Sequence, residues 1–174
     1  MPTSDGPRAI DERALADLPP LGAHAREETG LLLQATLVEL IDLSLIGKQL
    51  HWSVVGPLFR PLHLQLDELI DSWRELADTV AERAVAIGFL PDGRARTVAA
   101  DSGLPDVERG TIEDHAVVET LTRALAEATE RTRERMERLG ELDAASEDVL
   151  IEVLRELEKQ LWMVRAQRPA PRAG

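Results

Sequence analysis

Leu33, Leu37, Leu40, Ile41, Ile46 and Leu50 recur at helical spacing, and Gly56-Pro57 then breaks the chain, so a first long helix is predicted from about Arg26 to Trp52. A second pattern runs from Phe59 through Leu62, Leu66, Leu69, Ile70, Trp73, Leu76 and Val80 to Ile87. It ends at Gly88 with Pro91 beyond, the usual C-terminal punctuation of a helix. Between Pro91 and Gly110 the prolines and glycines leave room for at most one or two helical turns, which makes this stretch a long crossover. Thr111 followed by Asp114 resembles a helix start, and the third helix runs to about Leu139, where Gly140 stops it. The fourth follows Ser146, with Glu147 and Asp148 in its first turn and Lys159 and Arg165 near its end, as the helix dipole prefers. Aromatic residues make up only 3% of the chain and β-branched residues are sparse beside Leu, Ala, Glu and Arg, so the expected class is all-α, a four-helix bundle with one long crossover.

The 174 residues, 44% of them hydrophobic, suit a single core. The expected organisation is an N-terminal arm over residues 1–25, the bundle over 26–167 and a tail over 168–174. No run approaches the roughly 20 uninterrupted apolar residues of a membrane span, and Asp5, Arg8, Asp11 and Glu12 occupy the place of a signal peptide's apolar stretch. No membrane association and a cytoplasmic location are therefore expected. With no cysteine, thiolate metal sites, disulfides and cysteine nucleophiles are excluded, and any metal must sit on oxygen and nitrogen. A net charge of −12 repels nucleic acid and concentrates cations.

On the second helix His63 and Asp67 lie one turn apart on one face, and Asp78 and Glu82 repeat the spacing. The 11 residues from Asp67 to Asp78 return nearly to the same face but rise roughly 16 Å, so one helix cannot close one site with both pairs. The pairs are, however, palindromic about a point between Ser72 and Trp73. An antiparallel copy of the helix about a two-fold axis sets His63 opposite Glu82 and Asp67 opposite Asp78, giving two identical sites per dimer. His51, at the end of the first helix, adds a second imidazole to the His63–Asp67 side. Two histidines with three carboxylates suit Fe(II) and Fe(III), with zinc or manganese as competitors. His24 and His115 have no such partners. The residues three places before His24, His51, His63 and His115 are Leu21, Lys48, Arg60 and Ile112, so the Glu-x-x-His pairs of a site enclosed within one subunit's bundle are absent.

The stretch Lys48-Gln49-Leu50-His51-Trp52-Ser53-Val54-Val55-Gly56-Pro57, with Phe59, Leu62-His63, Leu66-Asp67-Glu68, Asp78, Ala81-Glu82-Arg83 and Gly88, resembles the signature of the Dps family of mini-ferritins. Leu157-Glu158-Lys159-Gln160-Leu161-Trp162-Met163 is similar to that family's last helix, so the resemblance covers roughly residues 30–167. It implies a ferritin-like bundle that assembles into a hollow dodecameric shell, oxidises Fe(II), commonly with hydrogen peroxide, and stores the ferric mineral. It places the ferroxidase ligands on His51, His63 and Asp67 of one subunit and Asp78 and Glu82 of its two-fold mate. It also suggests that Trp52 takes up an oxidising equivalent, and that Asp143 and Asp148 line three-fold ion pores. The family's other activity, DNA binding and nucleoid compaction, rests in many members on basic terminal extensions. Here Arg8 and Arg13 are outnumbered by acidic residues, and only Arg165, Arg168 and Arg172 offer positive charge near the C-terminus, so DNA contact is expected to be weak or absent.

Overall fold

The computed structural model describes residues 18–168, so most of the expected N-terminal arm and all but the first residue of the expected tail, Arg172 included, lie outside the described residues. The element order is α1 (Ala23–Ser53), β1 (Val54–Val55), α2 (Phe59–Ala86), α3 (Ala95–Asp101), β2 (Ile112–Glu113), α4 (Asp114–Gly140) and α5 (Ala144–Arg165). The class is all-α, a four-helix bundle in which α1 packs chiefly on α2, and α4 on α5.

α1 opens three residues before Arg26, at the first position clear of Pro19, Pro20 and Gly22. The Arg26 guanidinium holds that end, donating to the carbonyls of Leu21 at 2.9 Å, Pro19 at 3.2 Å and Ile87 at 3.0 Å, the last at the close of α2. α1 is also the one described helix long and apolar enough to cross a membrane, yet 61% of that stretch is buried within the bundle. Its inward residues Leu33, Leu40, Leu43 and Leu50 meet Leu66, Ile70 and Trp73 of α2 and Leu121 and Leu125 of α4 in one core. Gly47 permits the close approach of α1 and α2, since a Cβ there would lie 2.7 Å from the Trp73 ring. The buried indole N–H of Trp73 donates to Gln160 Oε1 at 2.7 Å, which satisfies the one polar atom of the largest core side chain.

Glu39 of α1 is buried, and two arginines of α4 compensate it: Arg135 donates twice, at 2.7 and 2.9 Å, and Arg131 once, at 2.6 Å. A buried carboxylate without such partners would be strongly destabilising. The crossover is pinned to α1 at its start, by Asp92, and near its middle, by Ser102. Gln34 and Asp92 exchange amide hydrogen bonds at 2.9 and 2.8 Å, and the Ser102 hydroxyl donates to Asp42 at 2.5 Å.

Two local expectations change. Ser146 does not open the last helix; Asp143 caps it, accepting the Ser146 N–H at 3.2 Å, because an aspartate in extended conformation aims its carboxylate at the helix's first free N–H groups. Ahead of α4, Ile112 and Glu113 form a two-residue parallel bridge with Val54 and Val55, so the corner between α1 and α2 is tied to the start of α4. A pair so short leaves no alternation in the sequence to find.

Candidate metal centre

His51 lies in the last turn of α1, and His63 and Asp67 lie on successive turns at the start of α2. The α1–α2 corner folds these ends together. The two imidazoles stack with centroids 3.6 Å apart and planes 23° from parallel, and Phe59 flanks His63 at 5.1 Å. Their backbone contacts are reciprocal: His51 Nδ1 lies 3.0 Å from the His63 carbonyl, and His63 Nδ1 lies 3.1 Å from the His51 carbonyl. A carbonyl only accepts, so Nδ1 carries the proton in each ring and Nε2 keeps a lone pair for a metal. One ligand atom from each of His51, His63 and Asp67 falls within 4.8 Å of the others.

Asp67 is half-exposed and accepts from Lys48 Nζ at 2.5 Å through Oδ1, which also lies 3.4 Å from His51 Nδ1. The hydrogen bond from the Lys48 ammonium holds the Asp67 carboxyl below the usual carboxylate range despite partial desolvation. The carboxylate form, which metal binding requires, is thereby favoured. Asp78 and Glu82 are exposed farther along α2 and take no part in the His51–His63–Asp67 group. Trp52 is 71% exposed beside His51.

Asp143 and Asp148 differ sharply. Asp143 is engaged on three sides, by Arg83 Nη2 at 2.6 Å and by the Ser146 hydroxyl and N–H at 2.5 and 3.2 Å. Burial alone would raise its pKa, but the bonds from Ser146 and the Arg83 charge outweigh it and hold the carboxyl low. Asp148 is exposed and borders a broad hollow between α2 and α5, beside Ser72, Glu75 and Glu152. Among the described residues, His24 meets Glu28 at 3.6 Å. His115 stands with Glu113 and Asp114 in a second cluster of possible ligands, but both Asp114 oxygens already accept backbone N–H groups, from Leu58 and His115, each at 2.7 Å. Arg165 is exposed, whereas Arg168 pairs with Glu119 at 2.6 Å.

Sequence reasoning gave Lys48 and Arg83 no role of their own and read Asp114 only as a helix start. Lys48 had a usable signal, since it lies one turn before His51 on the same helix face. Arg83 and Asp114 act on partners 60 and 56 residues distant in the chain, and nothing local marks them.

A ferritin-like domain model matches residues 31–169. The DNA protection during starvation protein of Mycolicibacterium smegmatis is 37% identical over 151 residues, covering 86% of this chain and 81% of that protein. DNA protection during starvation protein 2 of Deinococcus radiodurans is 35% identical over 149 residues, and there the match spans 86% of this chain but only 62% of the relative. Among solved structures, the tetragonal form of Mycobacterium smegmatis Dps superposes with a TM-score of 0.85 at 33% identity, covering 90% of this chain and 95% of that one. DpsA14 of Streptomyces coelicolor gives 0.84 at 33% identity, with 90% and 93% covered. With most of the chain matched in sequence and in backbone, and with its histidine pair set at the corner between the first two long helices, the protein belongs to the Dps family of ferritin-like proteins.

Proposed function

We propose that this protein oxidises Fe(II), with hydrogen peroxide as oxidant, and stores the ferric product inside a shell built from copies of itself, protecting the cell and its DNA from oxidative damage in the cytoplasm. One observation carries the reading: two imidazoles that point Nδ1 at backbone carbonyls, keep Nε2 free and stand beside a carboxylate, all at a partly open surface. A single chain offers only this half of a site. In the proposed dimer, Asp78 and Glu82 of a two-fold mate complete it, and their exposure on α2 leaves them available for that role.

Iron is the substrate. Two Fe(II) ions give one electron each to one peroxide, which takes up two protons and leaves as two waters. The O–O bond is thereby cleaved without releasing a hydroxyl radical. The carboxylates favour the ferric product, and the imidazoles hold the ferrous ion against water. Zinc or manganese on the same ligands would compete. Trp52, exposed beside His51, is positioned to take up a stray oxidising equivalent. In the proposed dodecamer, Asp148 lines a three-fold ion pore, and Asp143 contributes by fixing the helix end that carries Asp148.

DNA contact has a minor place in this reading. Arg168 is neutralised by Glu119 and the chain carries a net charge of −12, so Arg165 and Arg172 leave only a weak, salt-sensitive attraction. The deciding experiment loads the protein with Fe(II) anaerobically and adds stoichiometric peroxide while ferric absorbance and trapped radicals are followed. Fast oxidation with few radicals, lost in the Asp78→Ala, Glu82→Ala double variant, is expected. Equal behaviour of the variant would defeat the proposal, and tight DNA binding at physiological salt would favour a nucleoid-compacting shell instead.

A further inference from the structure

Whatever binds at His51 and His63 depends on the corner that joins α1 to α2, because the two histidines are 12 residues apart and each orients the other through a backbone carbonyl. A small shift of either strand of the corner would break both Nδ1 bonds at once and free both rings to change tautomer. The corner has little of its own to prevent this. Leu58, the residue preceding α2, supplies no side-chain cap, and the turn's internal hydrogen bonds include Phe59 N–H to Gly56 at 3.0 Å.

The missing acceptor comes from α4. Asp114 is buried, and its two oxygens have separate tasks: Oδ1 accepts its neighbour His115's N–H at 2.7 Å, and Oδ2 accepts the Leu58 N–H at 2.7 Å across 56 residues of chain. A residue that merely started α4 would need only the first bond. One carboxylate therefore sits at the N-terminal ends of two helices, where both dipoles favour its negative charge. The β1–β2 bridge holds the same corner on the preceding residues, and Gly56 completes the fit. Gly56 has φ +118°, and a Cβ there would lie 2.7 Å from Asp114 Oδ2.

We infer that Asp114 is a positioning residue for the metal centre: by clamping Leu58, it fixes the corner and so keeps His51 and His63 in the tautomer that presents Nε2 to a metal. The inference rests on the proposed role of the two histidines as ligands, and its test separates the two ideas. Metal-free protein, native and variant, is labelled with 15N at histidine, and the ring-nitrogen shifts are read. Anaerobic Co(II), a redox-stable stand-in for Fe(II), is titrated in parallel. The variants are Asp114→Asn, Asp114→Ala and Gly56→Ala, with Leu139→Ala as a destabilised control whose cavity lies at the other end of α4, roughly 38 Å away by helical rise.

Asp114→Ala and Gly56→Ala are expected to average the Nδ1 and Nε2 shifts of both histidines and to weaken Co(II) binding about tenfold, the scale typical of lost outer partners at metal sites. Asp114→Asn, which keeps an acceptor oxygen, should fall between them and the native protein, and Leu139→Ala should match native. Should Asp114→Ala not fold, the other two variants decide. Native shifts and affinity in all the corner variants, or an equal loss in Leu139→Ala, would overturn the inference. If native protein binds no Co(II), or His63→Ala binds it as well as native does, the iron reading fails instead, and the ring-nitrogen shifts alone decide whether Asp114 is the clamp.

Discussion

Asp67 and Asp143 are both carboxylates close to a helix start, and both meet a basic side chain, yet they do opposite things. Asp143 is nearly enclosed, and a guanidinium, a hydroxyl and a backbone N–H all converge on its Oδ2, which holds α5 to α2. Asp67 is half-exposed and receives a single ammonium, beside two imidazoles whose Nε2 atoms are free. The comparison teaches that charge and spacing do not separate a structural carboxylate from a ligand. What separates them is exposure and company: Asp143 is enclosed against a guanidinium, while Asp67 stands half-open beside two stacked imidazoles.

Removing a ligand from either half of the proposed site that includes Asp67 should produce the largest effect. His63→Ala or Glu82→Ala is expected to slow rapid Fe(II) oxidation by on the order of a hundredfold, the upper end of what even outer partners cost at metal sites. Mixing sharpens this further. If each site joins His63 of one subunit to Glu82 of another, subunits of the two inactive variants, dissociated and reassembled together, regain activity, because a mixed dimer concentrates both defects in one site and leaves the other intact. Random pairing should restore about a quarter of native sites, and no recovery would mean that the sites are not shared.

Asp143 should respond in stability instead. Asp143→Ala is expected to cost about 1 to 3 kcal/mol in urea unfolding, from the lost cap and the unpaired Arg83. Its depressed pKa fixes the sign of the pH dependence. The native carboxylate's extra stabilisation is complete above the ordinary value of 3.8 and disappears as pH falls through the lower native value. Acid unfolding of native protein and Asp143→Asn should therefore converge at low pH. Smallest of all, Lys48→Ala should tighten Co(II) binding at Asp67 by no more than about fivefold, since a half-exposed pair contributes at most about 1 kcal/mol. A weakening on that titration would instead make Lys48 a support of the site.

Much of this was legible in the sequence. Leu33 to Leu50 and Leu62 to Val80 carry the helical period over many turns, and the glycines and prolines mark the breaks, so the bundle and its long crossover could be read directly. The pairing of His51 with His63 and Asp67 was legible because two turns of one helix and the end of another flank a short corner. The four residues of the β1–β2 bridge were not, since two-residue strands have no period. Asp114 was read as a helix start, which it is; its second bond, to Leu58, depends on how α4 lies against the corner. Asp143 was placed near the start of α5, but its ion pair with Arg83 arises only when α2 and α5 pack.

The bridge between Val54–Val55 and Ile112–Glu113 also orders events in time. α1 and α2 adjoin in the chain and can pair as soon as both exist, whereas the corner between them is secured by residues synthesised more than fifty positions later. Contacts so distant in sequence close late, after the entropy of the intervening loop has been lost. A nascent chain on the ribosome thus carries both histidines well before it can lock them. On the proposed reading, competence to hold iron would arrive with the second half of the bundle.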